Sequence, residues 1–257
     1  MKVIILCGGK GLRMQGILED IPKPLVRVQG KPLLLHIMNW YRRYGHSDFI
    51  LPLGYKGEKI KEYFMDFSWK ENDFSLNFKT SQYTLLQELE NWNIHFIDTG
   101  IDTMTGARLK KLESFVQGET FLLTYGDGLA NIDIDQLIAF HKEKGKIATL
   151  TGIKKNSQYG LLAVENGIAI DFKEKPLLDE VVNGGFFVFN KEIFDYLGNS
   201  DDCVLEEDPL RNLIKDNELA VYEHNDFWAS VDTPKDIKTV DESWNPNKIE
   251  WRGLNKH

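Results

Sequence analysis

The chain opens with MKVIILCGGKGLR over residues 1–13, and this stretch decides the fold. Residues 2–6 form a short apolar run rich in β-branched side chains, which predicts a buried strand. The run leads directly into Gly8, Gly9 and Gly11, which allow the backbone to turn sharply and to approach an anion closely. Arg13 adds a cation, as does Lys23 within PKPL at 22–25. We interpret the stretch as a cradle for a triphosphate at the carboxyl end of the first strand of an α/β sheet.

Spacing excludes two better-known glycine-rich loops. A dinucleotide-binding fingerprint needs a third small residue, but Met14 stands at that position. A P-loop needs Gly-Lys-Ser/Thr after four intervening residues, and Gly11 is followed by Leu12 and Arg13 instead. A plain strand-to-helix turn stays open as the alternative when the glycines are considered alone.

Composition and charge limit the classes of function. The 257 residues carry a net charge of −8, which argues against a nucleic-acid surface. No apolar run approaches the length of a membrane span, and no signal-peptide pattern follows Met1. The two cysteines, Cys7 and Cys203, favour a reducing compartment without a disulfide framework. We therefore expect a cytoplasmic protein with neither a nucleic-acid nor a membrane partner.

Short apolar runs alternate with segments of helical periodicity, which predicts an α/β fold with a doubly wound, mostly parallel, Rossmann-like sheet. Residues 69–90 are expected to be an insertion, in which 74–78 alternate like a strand with an exposed face and the polar segment 80–90 projects as a loop or a hairpin. We expect a single domain, 1–257, with a nucleotide-binding lobe at 1–128 and an acceptor-binding lobe at 129–257. The predicted strands are 2–6, 48–53, 93–98, 120–124, 147–153, 161–164, 169–172 and 185–189, and the predicted helices are 31–44, 56–67, 105–116, 134–144, 191–197, 205–216 and 234–244.

Two aspartates are candidates for chemistry. Asp127 lies between two glycines directly after a predicted strand, where α/β folds place functional side chains, although Gly-Asp-Gly also makes a good turn. Asp232 precedes the last predicted helix and, taken alone, is better explained as its N-terminal cap. Arg13 and Lys23 change this balance, because a reacting triphosphate requires cations on its phosphate oxygens. One or two carboxylates also suffice for Mg²⁺ when phosphate and water complete its shell.

Motifs along nearly the whole chain resemble those of the sugar-1-phosphate nucleotidylyltransferases. They are GGKGLR at 8–13, PKPL at 22–25, TYGDG at 124–128, FKEKP at 172–176, NGGFF at 183–187 and FWASVDT at 227–233. The resemblance implies a nucleotide-diphospho-sugar transferase fold, and the combination is most similar to the glucose-1-phosphate cytidylyltransferases. These enzymes transfer CMP from CTP to a sugar 1-phosphate, with Mg²⁺ as cofactor. Leu12 stands where the family usually has Thr, which leaves open another phosphorylated acceptor or another nucleotide. We also expect a homo-oligomer.

The resemblance also implies the roles of individual residues. Arg13, Lys23 and Asp127 would be catalytic, and Asp127 and Asp232 would hold Mg²⁺. At 173–175 and 183–185, a solvated charged turn and a backbone bulge remain the plainer alternatives. Nucleotide contacts are expected from Leu6, Gly8, Gly9, Lys10, Gly11, Leu12, Arg13, Lys23, Thr103, Arg108 and Gly126, and contacts to the sugar phosphate from Tyr159, Gly160, Glu174, Lys175, Asn183 and Gly185.

Overall fold

The structure is a computed structural model that describes residues 1–9, 21–116, 120–156, 161–174 and 177–244. Its strands are β1 (Lys2–Leu6), β2 (Arg27–Val28), β3 (Lys31–Pro32), β4 (Asp48–Leu53), β5 (Phe74–Asn77), β6 (Gln82–Leu85), β7 (Asn93–Asp98), β8 (Phe121–Tyr125), β9 (Gly128–Ala130), β10 (Ala148–Asn156), β11 (Leu161–Glu165), β12 (Ile168–Lys173), β13 (Leu177–Phe189), β14 (Leu219–His224) and β15 (Trp228–Ser230). Its helices are α1 (Leu33–Arg43), α2 (Gly57–Met65), α3 (Phe67–Lys70), α4 (Thr105–Lys110), α5 (Ile134–Lys144), α6 (Ile193–Tyr196), α7 (Asp208–Lys215) and α8 (Pro234–Ser243).

A seven-stranded sheet in the order β14-β10-β13-β8-β1-β4-β7 forms the centre of the described chain. β1 pairs in parallel with β4 and β8, β4 pairs in parallel with β7, and β10 pairs in parallel with β14. Within this sheet β13 alone is antiparallel to its neighbours, β8 and β10. The mostly parallel sheet predicted from the sequence is therefore confirmed.

Helices cover both faces of the sheet, because alternate residues of its strands point to opposite sides. In β1, Val3 and Ile5 belong to one core, together with residues of α1, α2, α5 and α8. Ile4 points the other way, into a second core that includes residues of α4, α6 and α7. All three side chains are fully buried, and each such burial stabilises the fold by about 1.5–3 kcal/mol. The doubly wound arrangement is confirmed.

Several boundaries agree with the sequence patterns. α1 follows Pro32 and ends just before Gly45, whose φ of +79° is the left-handed conformation that terminates helices. The polar segment 69–90 contains the antiparallel hairpin of β5 and β6, as expected. No helix among the described residues is long and apolar enough to cross a membrane.

Other boundaries differ from the prediction. The predicted helix at 56–67 divides into α2 and α3 around Asp66, and the predicted helix at 105–116 ends as α4 at Lys110. The predicted helix at 205–216 begins only at Asp208. At the predicted start, the backbone N–H of Leu205 donates to the hydroxyl of Thr105, on α4, over 3.0 Å. Helical periodicity in one segment carries no information on such a contact.

Candidate active site

A two-stranded ribbon brings two distant aspartates together. β9 and β15 pair antiparallel, with Gly128 opposite Ser230. Pairing continues one residue further, because the N–H of Val231 donates to the carbonyl oxygen of Asp127 over 2.9 Å. Asp127 precedes β9 and Asp232 follows β15, so their side chains meet at one end of the ribbon. The pairing is therefore the structural reason that two remote motifs form one site.

Lys23 lies between these two carboxylates. Its ammonium donates one hydrogen bond of 2.6 Å to Asp127 Oδ2 and another of 2.6 Å to Asp232 Oδ1. Lys23 is flanked by Pro22 and Pro24 in a short 3-10 turn, which the N–H of Leu25 closes onto the carbonyl of Pro22 over 2.8 Å. Since proline fixes φ, the PKPL sequence holds the backbone of this lysine rigidly.

The charge of Lys23 is stabilised by its partners. Burial alone lowers its pKa, but the attraction of Asp127 and the hydrogen bonds to both carboxylates outweigh burial, so the pKa lies above its usual range. The ammonium is therefore charged at neutral pH. A permanent cation at this point can neutralise phosphate oxygens but cannot act as a general base.

The helix-cap explanation of Asp232 is wrong. The hydroxyl of Thr233 accepts from the N–H of Asp236, and the carboxylate of Asp236 accepts from the N–H of Thr233, which together make a capping box for α8. The carboxylate of Asp232 instead accepts from Lys23 and, over 2.7 Å, from the hydroxyl of Ser230. Its side chain is thus available to the site.

The two carboxylates fit a divalent cation. An oxygen of each lies 2.6 Å from the same nitrogen of Lys23, so the two carboxylates face one point. The side chains of Asp127 and Asp232 are 31% and 34% exposed, so phosphate and water can complete a coordination shell. Among the described residues no group of three or more His, Cys, Asp and Glu side chains could hold a metal by itself. The pair therefore suits an ion whose remaining ligands come from substrate.

The side chain of Arg108 packs against the glycine-rich turn at Gly8. Its guanidinium is buried and donates to the carbonyls of Gly8 (3.0 Å), Leu53 (3.0 Å) and Gly100 (2.7 Å). A Cβ on Gly8 would lie 2.3 Å from Arg108 Cζ, and a Cβ on Gly54 would lie 2.6 Å from its Nη1. Glycine is needed at both positions because the guanidinium occupies that space.

A cavity of about 480 Å³ connects these groups. Its lining includes six residues predicted to contact nucleotide: Leu6, Gly8, Gly9, Thr103, Arg108 and Gly126. Lys23, Asp127 and Asp232 also line it, as do Asn183, Gly184 and Trp228 from later in the chain. The hydroxyl of Thr103 is already committed, since it donates to the carbonyl of Thr99 over 2.6 Å. The cavity thus joins most of the predicted nucleotide positions to one predicted acceptor position, Asn183.

The remaining predicted acceptor positions lie differently. Glu174 is exposed at the end of β12, outside the lining of the cavity. Gly185 has a φ of +79°, and a Cβ there would lie 2.4 Å from the ring of Tyr125. The lack of a side chain at position 185 therefore leaves room for the ring of Tyr125. Seven predicted positions lie outside the described residues: Lys10, Gly11, Leu12, Arg13, Tyr159, Gly160 and Lys175.

Some residues that line the cavity are not among those predicted from the sequence. Ser230, the last residue of β15, stands two positions before Asp232, a spacing that puts both side chains on one side of an extended chain and could have identified it. The indole N–H of Trp228 donates to the carbonyl of Gly184 over 2.7 Å and joins the two acceptor-side segments. Cys7 also lines the cavity, but burial and the charge of Asp127 raise the pKa of its thiol. Cys7 therefore stays protonated and is unsuited to act as a nucleophile.

Known proteins share this fold and these motifs. Residues 2–245 match the profile of the family described as nucleotidyl transferase. A Bacillus subtilis (strain 168) protein named probable glucose-1-phosphate cytidylyltransferase is 51% identical over 252 residues, covering 98% of this chain and 99% of that protein. The glucose-1-phosphate cytidylyltransferase of Salmonella typhi is 40% identical over 255 residues, with 98% and 99% covered. The crystal structure of HddC from Yersinia pseudotuberculosis has the same fold, with a TM-score of 0.69 at 22% identity and with 95% and 99% covered.

The fold and the carboxylate–lysine cluster thus define a protein of the class that transfers nucleotidyl groups. More narrowly, the chain belongs to the nucleotidyl transferase family and is similar over 98% of its length to proteins named as glucose-1-phosphate cytidylyltransferases. The family predicted from the sequence motifs is confirmed.

Proposed function

We propose that the protein transfers CMP from CTP to α-D-glucose 1-phosphate and releases CDP-glucose and pyrophosphate. The names of the relatives that are 51% and 40% identical support this choice of nucleotide and acceptor. The observation that carries the chemistry is the position of Lys23, held between Asp127 and Asp232 on the wall of a cavity of about 480 Å³. Cations and carboxylates converging on one point are what phosphoryl-group chemistry requires.

In this reaction an oxygen of the acceptor phosphate attacks the α-phosphorus of CTP. The bond between the α-phosphorus and the pyrophosphate oxygen breaks, and pyrophosphate leaves. Lys23 would neutralise the charge that develops on the phosphate oxygens, and the backbone at Gly8 and Gly9 would border the triphosphate. No protein nucleophile is needed, in keeping with the protonated thiol of Cys7.

Asp127 and Asp232 would hold Mg²⁺. When bound, the ion would supply positive charge to the α-phosphate and the leaving pyrophosphate. The two carboxylates would orient it through the ribbon of β9 and β15. Ser230 would fix one of these carboxylates, because its hydroxyl donates to Asp232 Oδ2 over 2.7 Å.

We further propose that residues 1–128 hold the nucleotide and residues 129–257 hold the acceptor. The lining residues predicted to contact nucleotide, including Gly8 and Thr103, come from segments before residue 128. Asn183 and Trp228, which also line the cavity, come from later segments. Lys23 would be the exception, since its position lets it contact phosphates of both substrates. A cytoplasmic location and a homo-oligomer stay predictions, which fractionation and size-exclusion chromatography would test.

The proposal is tested by measuring pyrophosphate release from each of CTP, UTP, dTTP, ATP and GTP with a panel of phosphorylated acceptors. We expect turnover with CTP and glucose 1-phosphate that depends on Mg²⁺. Turnover with UTP or dTTP alone would refute the choice of nucleotide. Turnover with CTP and only another acceptor would refute the choice of glucose 1-phosphate as the acceptor. Other acceptors are included because Leu12 stands where the family usually has Thr.

A further inference from the structure

Glu206, just before α7 and outside the cavity lining, contacts two residues of that lining. Its Oε2 accepts from the hydroxyl of Thr105 over 2.6 Å, and its Oε1 accepts from the hydroxyl of Tyr125. Thr105 and Tyr125 both line the cavity, the first at the start of α4 and the second at the end of β8. The side chain of Thr105, the first residue of α4, makes no cap hydrogen bond and contacts Glu206 instead.

The chain of hydrogen bonds continues to Asn183. The side-chain Nδ2 of Asn183 donates to the hydroxyl oxygen of Tyr125 over 3.2 Å, and its Oδ1 accepts from the N–H of Gly185 over 2.8 Å. Tyr125 is held in place by packing as well, since only a glycine at position 185 leaves room for its ring.

The direction of each hydrogen bond follows from the charge of Glu206. An ionised carboxylate can only accept, so the phenol of Tyr125 must donate to it. The hydroxyl of Tyr125 has a single proton, and it is directed at Oε1 of Glu206. The oxygen of Tyr125 then has only lone pairs left for Asn183, which must turn its NH₂ group toward it. One orientation of the Asn183 amide is thereby selected.

We infer that Glu206 is a positioning residue for the acceptor sugar, acting through Tyr125 to fix the amide of Asn183 at the cavity wall. This inference rests on the proposed function, in which Asn183 contacts the sugar of the acceptor. The NH₂ group and the carbonyl group of the Asn183 side chain each make one hydrogen bond within the protein. Within the described part of the chain, the second N–H and the second lone pair of the carbonyl remain for a sugar hydroxyl. A fixed amide distinguishes hydroxyls by their geometry, whereas an amide free to rotate does not.

The test replaces Glu206 by glutamine, which keeps the shape but can donate to Tyr125 and so reverse its hydroxyl. We expect KM for glucose 1-phosphate to rise about tenfold, the loss of roughly one hydrogen bond, with KM for CTP unchanged within about twofold. The ratio of kcat/KM for glucose 1-phosphate to that for its 4-epimer, galactose 1-phosphate, should fall. Glu206→Asp, which keeps the charge, should restore part of that ratio. Glu207→Gln, at the exposed neighbouring position, is the matched control and should behave as wild type.

A double-mutant comparison separates positioning from a structural role. In an Asn183→Ala background, Glu206→Gln should change acceptor discrimination by less than about twofold, because the group it positions is gone. Tyr125→Phe should reproduce the Glu206→Gln effect and should not add to it. Additive effects of Glu206→Gln and Asn183→Ala, or a parallel loss of stability and of kcat with both KM values unchanged, would overturn the inference. Failure of the proposed function is distinguishable, since the wild-type protein would then not turn over CTP with glucose 1-phosphate.

Discussion

Replacing Lys23 by methionine removes the ammonium and keeps most of the apolar stem. The variant loses two charge-assisted hydrogen bonds of 2.6 Å, each worth about 1.5–3 kcal/mol when fully buried. The two aspartate side chains are 31% and 34% exposed, so water replaces part of this loss, and we expect the free energy of unfolding to fall by about 2 kcal/mol. Activity should fall much further, by about 100- to 1,000-fold in kcat, because the lost cation stabilises charge in the transition state.

The assay is pyrophosphate release at saturating CTP and glucose 1-phosphate, with urea unfolding measured on the same preparations. Lys61→Met is the matched control, since Lys61 is exposed on α2, and it should retain wild-type kcat. A Lys23→Met protein with near-normal kcat would refute the role of Lys23. So would a loss of activity no larger than the fraction of unfolded protein explains.

The same variant tests whether Lys23 and a metal compete for the two carboxylates. Without nucleotide, Lys23→Met should bind Mn²⁺ more tightly than the wild type, because the ammonium that contacts Asp127 and Asp232 is gone. Electron paramagnetic resonance of free Mn²⁺ measures this affinity independently of turnover. Equal affinity in the two proteins would show that the ammonium and the ion do not share these oxygens.

Three further predictions address the metal site, the glycine turn and acid stability. Asp232→Asn should raise the Mg²⁺ concentration for half-maximal pyrophosphate release by about tenfold or more with little change in melting temperature, and an unchanged Mg²⁺ response would contradict its role. Gly8→Ala should destabilise the fold by about 1–3 kcal/mol in urea, because its Cβ would lie 2.3 Å from Arg108 Cζ, whereas Gly9→Ala, with no described atom within 4 Å of its Cβ, should cost far less. Burial, and next the charge of the amino terminus, lower the pKa of His46 from 6.5 to about 4. The free energy of unfolding should therefore fall as the pH drops below 6.5, by about 2 kcal/mol between pH 7 and pH 5. Urea unfolding at both pH values measures this fall, and the same fall in His46→Gln would contradict its assignment to His46.

The sequence predicted the features that local patterns determine. The alternation of Val3, Ile4 and Ile5 between the two cores follows from the period of a strand. Gly45 and Pro32 mark the ends of α1 because their backbone conformations are restricted in ways that the sequence states directly. Asp127 was placed correctly after a strand, since functional groups of α/β folds collect at strand ends.

The sequence could not supply contacts between distant segments. Asp232 was ambiguous because both a helix cap and a ligand fit Val-Asp-Thr-Pro, and only the ribbon of β9 and β15 separates them. Arg108 was expected to touch nucleotide, but no local pattern indicates that its guanidinium fills the space left by Gly8 and Gly54. Glu206 carries no motif, and its importance depends on a hydroxyl from α4 and another from β8.

In the proposed mechanism, one ion and one lysine meet the reacting phosphate between two carboxylates from distant parts of the chain. Anomalous diffraction from crystals grown with Mn²⁺ and CTP tests it most directly. We expect a single manganese peak within bonding distance of Asp127, Asp232 and a phosphate oxygen, with Lys23 against the phosphates. A peak bonded to neither aspartate, or to one while the other faces away, would contradict it.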